Sequence, residues 1–239
     1  MSLRTALIIP ALDEEQALPL VLGALPAGLV RHVVVVDNGS RDRTAAVARD
    51  CGAQVVTAAR RGYGSACLAG LAHLAGDPPD IVAFLDADFS DDPADLAAVL
   101  GPLQSGHADL VVGSRVLGRC QPGAIPWHVH WGNRLATTLI RALHGGSFTD
   151  LGPFRAISWA ALRRLSMRDP GCGWNVEMQV KALRRGLRCA EVPVAYRRRV
   201  GVSKISGTLA GTIRAGTAIL ISVVRYGRGN GRLRHSGTH

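Results

Sequence analysis

Short apolar segments recur along the first half of the chain, and a polar loop and a stretch with helical spacing follow most of them. These segments have the length and continuous apolar character of strands buried on both faces; they cover residues 5–9, 32–36, 53–56, 81–85 and 109–115. Strands that alternate with helices of roughly ten residues form parallel sheets. We therefore predict an α/β fold with a doubly wound, mostly parallel sheet and helices on both faces.

The fourth apolar segment runs directly into a group of five carboxylates: Asp86, Asp88, Asp91, Asp92 and Asp95. The pair Asp92 and Pro93 is typical of a helix N-cap and first helical position, so the group lies on a strand-to-helix turn. In an open α/β sheet, such turns lie at the carboxyl ends of the strands, where ligands bind. The carboxylates therefore predict a ligand site at this edge of the sheet.

Asp86 and Asp88 are separated by Ala87, so in an extended chain their carboxylates point to the same side. Two carboxylates in this arrangement suit a hard divalent cation such as Mg²⁺ or Mn²⁺, which would in turn hold a diphosphate. The alternative is a solvated acidic loop, whose carboxylates would repel one another without a counter-charge. We predict that Asp86 and Asp88 are metal ligands.

Charge is distributed unevenly along the 239 residues, although the formal net charge is +10. Residues 1–100 contain 13 acidic and 7 basic side chains, whereas residues 101–239 contain 5 acidic and 21 basic side chains. This distribution favours an enzyme that brings together two anionic substrates. We do not expect a nucleic-acid partner, because no helix-turn-helix, zinc-finger or aromatic RNA-binding pattern is present and aromatic residues make up only 5%.

Five scattered cysteines without a C-x-x-C pair predict neither a disulfide framework nor a zinc site. The N-terminal segment resembles a first strand more than a signal peptide, which favours a cytoplasmic protein. Residues 125–141 place two tryptophans near arginines at helical spacing, as in a helix that lies on an anionic membrane, although packing against the sheet explains them equally well. The apolar stretch 215–224 is too short for a membrane span, which takes about 20 residues.

Several segments together resemble the family-2 glycosyltransferases of GT-A fold; they are residues 8–15, 36–44, 62–66, 84–88 and 112–115. Residues 150–155, 177–182 and 198–204 resemble the branch that contains dolichyl- and polyprenyl-phosphate sugar transferases. The resemblance implies a catalytic domain over residues 1–202, with a nucleotide-sugar half (1–115) and an acceptor half (116–202). A basic, amphipathic C-terminal helix (203–226) and a disordered tail (227–239) are predicted to follow.

On the donor side, the resemblance implies that Asp37 accepts a hydrogen bond from the nucleobase. It assigns the rest of the nucleotide-sugar site to Pro10, Ala11, Leu12, Glu14, Gly64, Asp86, Ala87 and Asp88. Asp13 stands where the family usually has asparagine, and Gly64 is explained equally well by turn formation. The implied cofactor is Mg²⁺ or Mn²⁺.

The implied reaction is the inverting transfer of a hexose from a nucleotide sugar, of UDP-glucose or GDP-mannose type, to a polyprenyl phosphate at the membrane surface. The predicted catalytic residues are Asp88, Asp91, Arg115, Asp150 and Glu177. The predicted acceptor residues are Arg115, Arg155, Arg198, Arg199, Ser203 and Lys204, of which the last four belong to a clamp over residues 198–204. An anionic phosphate needs arginines more than a base.

Two alternatives stay open at this stage. A soluble hydroxyl acceptor would require a general base, for which Asp150 and Glu177 are the candidates, whereas an ion pair with Arg155 would explain Asp150 structurally. A non-catalytic nucleotide-binding module, or a basic nucleic-acid-binding one, would also keep the fold, but it would not need the pair Asp86 and Asp88. An oligomer is compatible with the sequence.

Overall fold

The structure is a computed structural model that describes residues 3–201, 216–217 and 221–226. The strands in this part of the chain are β1 (Thr5–Ala11), β2 (His32–Asp37), β3 (Gln54–Thr57), β4 (Ile81–Phe84), β5 (Leu110–Ser114), β6 (Arg155–Ser158) and β7 (Cys189–Pro193). The helices are α1 (Leu18–Gly23), α2 (Thr44–Asp50), α3 (Tyr63–Leu74), α4 (Leu96–Gln104), α5 (Trp127–His144), α6 (Trp159–Leu165) and α7 (Trp174–Arg184). A 3₁₀ turn, Pro93–Asp95, precedes α4.

All seven strands form one sheet in the order β3-β2-β1-β4-β6-β5-β7. β6 is antiparallel to both of its neighbours, and the other pairs are parallel. The prediction of a mostly parallel α/β sheet is confirmed. The antiparallel β6 was not predicted, and it separates the two parallel parts of the sheet.

The central strands β1, β4 and β5 are buried on both faces, whereas the edge strands β3 and β7 are partly exposed. In β1, Ala6 and Ile8 pack into one core cluster with side chains from α3, α6 and α7. Leu7 and Ile9 pack into a second cluster with side chains from α1, α2 and α4. Two covered faces explain why the strand segments read as continuous apolar runs instead of alternating ones. The helices on both faces of the sheet match the prediction.

The start of the helix after β4 also follows the predicted pattern. Asp92 is the N-cap, and its side chain accepts a hydrogen bond of 3.1 Å from the backbone N–H of Ala94. Pro93 occupies the first position of the 3₁₀ turn, where its missing N–H costs nothing. The carboxylates from Asp86 to Asp92 therefore lie on the turn between a buried strand and a helix start.

The predicted C-terminal helix is described in two short pieces, residues 216–217 and 221–226, which are helical. Val223 is buried in a cluster with Ile140 of α5 and Val180 of α7. The rest of that predicted helix and the predicted tail lie outside the described residues. Within the described part of the chain, no helix has the length and apolar character required to cross a membrane.

Candidate active site

The loops that follow β1 and β2 are joined to each other at the carboxyl edge of the sheet. The backbone N–H of Glu14 donates to the hydroxyl of Thr44 at 2.8 Å, and the N–H of Asn38 donates to the carbonyl of Ala11 at 2.9 Å. Asp37 ends β2, is half-buried, and accepts a hydrogen bond of 3.0 Å from the N–H of Ser40. The predicted nucleotide-binding loop, residues 10–14, therefore lies beside Asp37.

The third loop, around Gly62 and Gly64, is fixed by packing. The side chain of Asn38 bonds both the carbonyl and the N–H of Gly62, at 2.9 and 3.2 Å. A Cβ on Gly64 would lie 1.9 Å from the carbonyl oxygen of Asp169, and the N–H of Gly64 donates to Gly171 at 3.3 Å. This close backbone approach explains the glycine at position 64 without a ligand.

Three carboxylates lie close together after β4, and they are paired to different degrees. One oxygen of Asp88 accepts hydrogen bonds from the N–H and the hydroxyl of Ser90, at 2.9 and 2.6 Å. Within the described part of the chain, one oxygen of Asp86 and both oxygens of Asp91 are buried without a hydrogen-bond partner. The neighbouring Ala87 is also buried. Burying an unpaired carboxylate costs free energy, so a bound cation would stabilise this cluster.

The electrostatics of the cluster point in the same direction. Burial, and next the charge of Asp88, raise the pKa of Asp86 to about 7. Burial, and next the charge of Asp86, raise the pKa of Asp91 well above its ordinary value. A nearby positive charge would reverse both effects by stabilising the ionised carboxylates.

The donor set fits a metal ion that is shared with a substrate. Among the described residues, no three His, Cys, Asp or Glu side chains converge as a complete metal cage. Mg²⁺ is commonly held by one or two carboxylates together with water and substrate phosphates. Asp86 and Asp88 supply such carboxylates, and the ligands that the protein does not provide match the oxygens of a diphosphate.

Arg115 and Asp150 form a forked ion pair beside this cluster. The Nε and Nη2 atoms of Arg115 donate to the two carboxylate oxygens of Asp150 at 2.8 and 2.7 Å, and the Arg115 backbone N–H adds a third bond at 2.8 Å. Burial would raise the pKa of Asp150, but the hydrogen bonds and the charge of Arg115 outweigh it, so the pKa is lowered. Asp150 is thus a paired carboxylate, and its partner is Arg115 instead of the Arg155 considered from the sequence.

Glu177 and Arg155 are both fully buried. Glu177, in the first turn of α7, accepts hydrogen bonds from the N–H groups of Arg168 and Asp169 and from Lys181 Nζ. Arg155 donates to the carbonyls of Leu151, Gly152 and Asn175. These contacts favour a structural role, because neither side chain is accessible to a ligand in this arrangement; their predicted catalytic and acceptor roles find no support in it.

Residues 195–200, which we call the strap, cross the carboxylate turn. The N–H of Arg197 donates to the carbonyl of Ser90 at 2.8 Å, and the N–H of Val200 donates to the carbonyl of Asp88 at 2.9 Å. In a third hydrogen bond, the N–H of Asp92 donates to the carbonyl of Ala195 at 3.3 Å. The strap is therefore fixed along the turn by its backbone.

The three arginines of the strap have different partners. Arg199 Nη2 donates to Glu14 at 2.8 Å, and its Nη1 lies 3.2 Å from Asp88 Oδ2. Arg197 forms an ion pair with Asp92 and stacks over a neighbouring phenylalanine ring, whereas Arg198 bonds the carbonyl of Pro122. Of the predicted clamp, Arg199 faces the carboxylates and Arg198 does not. Ser203 and Lys204 lie outside the described residues.

An open cavity of about 730 Å³ adjoins Arg115. Its lining is mostly apolar, through Val116, Pro122, Ile125, Trp127 and Trp131, and it also includes the polar side chains of Gln121 and His130. The opposite side of α5 packs on the core through Ala136 and Ile140, whereas Trp127 is 76% and Trp131 63% exposed. Packing against the sheet was one of the two interpretations of this segment, and it does not explain the two exposed tryptophans.

Two residues of the site were not predicted. The ring of Tyr196 lies under the guanidinium of Arg115, 5.1 Å from it, and Ser90 donates two hydrogen bonds to Asp88. Ser90 stands two residues after Asp88, a spacing typical of a side chain that caps a turn. That spacing is a local signal in the sequence. No local signal indicates the contact between Tyr196 and Arg115, which are distant in the sequence.

Comparisons with known proteins agree with this architecture. The family model described as glycosyl transferase family 2 matches residues 6–166. An uncharacterized glycosyltransferase of Mycobacterium tuberculosis is 42% identical over 212 residues, which cover 87% of this chain and 92% of the relative. An undecaprenyl-phosphate mannosyltransferase of Micrococcus luteus is 30% identical. The alignment, gaps included, is 244 positions long and covers 94% of each chain.

Among solved structures, the fold is similar to that of glucosyl-3-phosphoglycerate synthase from Mycobacterium tuberculosis, a structure in complex with Mn²⁺, uridine diphosphate and glucosyl-3-phosphoglycerate. The TM-score is 0.75 at 23% sequence identity, over 94% of this chain and 80% of that one. The likeness concerns the fold, which is of the predicted GT-A type.

Proposed function

This chain belongs to glycosyl transferase family 2, and within that family we propose that it transfers a hexose from a nucleoside-diphosphate sugar to a polyprenyl phosphate at a membrane surface. The observation that carries the proposal is the cluster of buried, incompletely paired carboxylates at the carboxyl end of β4. A site of this kind has little use in a module that only binds nucleic acid, because it repels phosphates unless a divalent cation is bound.

For the donor, we assign Asp86 and Asp88 to a Mg²⁺ or Mn²⁺ ion and Asp37 to the nucleobase. The Mn²⁺ and uridine diphosphate in the solved structure of similar fold support this assignment. Asp37 keeps an acceptor oxygen for a base N–H, since Ser40 occupies the other one. When bound, the metal would supply positive charge to the departing diphosphate.

The reaction needs an in-line attack. An oxygen of the acceptor phosphate forms a bond to the anomeric carbon, and the bond from that carbon to the diphosphate oxygen breaks with its electron pair on the leaving group. An anionic phosphate is already a nucleophile at neutral pH, so the paired state of Asp150 and the burial of Glu177 are compatible with the step. Arg115 orients the acceptor from the side of the cavity.

For the acceptor, the cavity beside Arg115 combines one arginine with a mostly apolar lining. This combination suits a phosphate that carries a hydrocarbon chain. The exposed side chains Trp127 and Trp131, with Arg134 and Arg141 on the same helix, suit the interface of an anionic bilayer. The relative that is an undecaprenyl-phosphate mannosyltransferase supports this choice.

A second candidate is the same donor chemistry with a soluble phosphorylated acceptor. It is favoured by the similar fold of glucosyl-3-phosphoglycerate synthase, whose structure was solved in complex with the small molecule phosphoglyceric acid. That likeness is at 23% identity, so it weighs less than the relative at 30%.

The decisive experiment measures sugar transfer from labelled UDP-glucose and GDP-mannose to undecaprenyl phosphate in anionic vesicles, with 3-phosphoglycerate and a simple alcohol as competing acceptors. We expect metal-dependent labelling of the lipid, lost in EDTA. Preferential labelling of a soluble acceptor would replace the lipid assignment. Absence of turnover with both donors and all acceptors, in folded protein, would contradict the enzyme assignment for these substrates.

A further inference from the structure

Arg199 is held between two carboxylates that follow the neighbouring strands β1 and β4. Its Nη2 donates to Glu14, in the loop after β1, at 2.8 Å, and its Nη1 lies 3.2 Å from Oδ2 of Asp88. The side chain of Arg199 is 29% exposed, that of Glu14 is 8% exposed, and that of Asp88 is 13% exposed. This guanidinium is thus a partly buried cation at the place where a metal ion would bind.

The contact occupies the oxygen of Asp88 that is needed for metal binding. Oδ1 of Asp88 is engaged by the N–H and the hydroxyl of Ser90, which leaves Oδ2 for a cation. A divalent ion on Oδ2 and a guanidinium at 3.2 Å from the same atom would repel each other strongly in this partly buried place. The two cations therefore compete for one carboxylate.

The backbone on both sides of Arg199 is fixed, so the competition is decided by the side chain. Arg197 and Val200 donate their N–H groups to the carbonyls of Ser90 and Asp88. A long side chain on a fixed backbone can swing its guanidinium to a new anion by changing rotamers. A nucleoside diphosphate offers such an anion, because its oxygens accept forked hydrogen bonds from arginine.

We propose that Arg199 makes metal binding dependent on donor binding: its guanidinium occupies the cation position at Asp88 until a nucleoside diphosphate draws it away. This inference rests on the proposed donor site, and it adds that the nucleotide binds before the metal ion. In the free protein, Arg199 neutralises part of the carboxylate cluster and disfavours a metal ion bound alone. With the diphosphate present, the metal takes Asp88 while Arg199 pairs with the phosphate.

The test is the affinity of the full chain for Mn²⁺, measured from the electron paramagnetic resonance signal of the free ion, with no nucleotide, with UDP and with GDP. We compare the wild type with Arg199→Gln and with the matched control Arg198→Gln. Both variants lose one charge from the strap, but Arg198 bonds Pro122 and not the carboxylates. The protein's far-ultraviolet circular dichroism and melting curve report whether each variant is folded.

We expect Arg199→Gln to bind Mn²⁺ without nucleotide about tenfold more tightly than the wild type, since it removes a hydrogen-bonded competing charge. The gain in Mn²⁺ affinity on adding nucleotide should shrink in this variant, and Arg198→Gln should behave like the wild type. Arg199→Lys keeps the charge without the fork, so it should fall between the two.

The inference is overturned if folded Arg199→Gln binds Mn²⁺ no more tightly than the wild type without nucleotide, or if Arg198→Gln gives the same gain. If Arg199→Gln does not fold, Arg199→Lys decides in the same way. The proposed function fails differently: wild type that binds no Mn²⁺ with either nucleotide lacks the donor site, whatever the variants do without nucleotide.

Discussion

The carboxylate turn after β4 and the outer face of α5 are built in opposite ways. The turn is buried and highly charged, and it is covered by the strap through backbone hydrogen bonds. The face of α5 is exposed and apolar, with Trp127 and Trp131 directed away from the core. The first region is tuned by charge pairing, whereas the second offers apolar surface.

This difference predicts how each region responds to substitution. A buried charge that loses its partner destabilises the protein, because its desolvation is no longer compensated. An exposed tryptophan contributes little to folding, and its removal should alter binding alone.

Replacing Arg115 by Ala should lower the free energy of unfolding by about 3–5 kcal/mol, because it leaves the buried Asp150 as an unpaired charge. Urea denaturation measures the effect. The matched control is Arg188→Ala, which breaks a similar forked pair with Asp109 in which the arginine is 59% exposed. The control should lose far less stability, and equal losses would contradict the contrast between buried and exposed pairs.

Replacing Asp88 by Asn should weaken the metal-dependent binding of UDP or GDP by more than about a hundredfold, since even residues behind a ligand typically contribute tenfold or more. Isothermal titration calorimetry with and without Mn²⁺ measures it. The control, Asp77→Asn, changes an exposed carboxylate before β4. Nucleotide binding that stays fully metal-dependent in Asp88→Asn would remove this residue from the metal site.

Replacing Asp37 by Ala should weaken donor affinity by about 1.5–3 kcal/mol, which is the contribution of a hydrogen bond to a charged group. The dependence on metal should stay as in the wild type, because Asp37 lies at the end of β2 and not on the turn after β4. The same calorimetric titration separates the two effects. A variant with wild-type affinity would place the nucleobase elsewhere.

Replacing Trp131 by Ala should change the free energy of unfolding by less than about 0.5 kcal/mol. It should nevertheless weaken binding to anionic vesicles by about tenfold, through the apolar area lost from the interface. Vesicle sedimentation measures the binding, and Leu20→Ala, which removes an exposed apolar side chain from α1, is the control. If both variants bind vesicles like the wild type, α5 is not the membrane-facing surface.

Much of the site could be predicted because its signals are local. The pair Asp86 and Asp88 is recognisable from a spacing of two residues, and the N-cap at Asp92 from the proline that follows it. The start of α3 was less accessible to such reasoning: the sequence pattern predicts a helix from Ala66 to Leu74, whereas the helix begins at Tyr63. Gly62 lies just before this helix and Gly64 lies in its first turn. Both positions require glycine because segment 169–171 packs against their backbone, and nothing in the neighbouring sequence indicates that contact.

Partners that are distant in the sequence were predicted poorly. Asp150 was considered as a partner of Arg155, which is five residues away, yet its guanidinium partner is Arg115. Arg155 is instead buried, and the carbonyl groups of Leu151, Gly152 and Asn175 accept its hydrogen bonds. The sequence contains 28 lysines and arginines, and it does not distinguish those that pair with a carboxylate from those that face solvent.

The sequence alone predicts the first five strands, the helices on both faces of the sheet and the carboxylate pair at its edge, but not β6 or β7. Each of these follows from the period of apolar residues or from a spacing of a few positions. The antiparallel direction of β6, the burial of Glu177 and the contacts of Arg199 with Asp88 and Glu14 are visible only in the folded chain. These contacts join segments up to 185 residues apart, and they depend on where the packed sheet brings each loop.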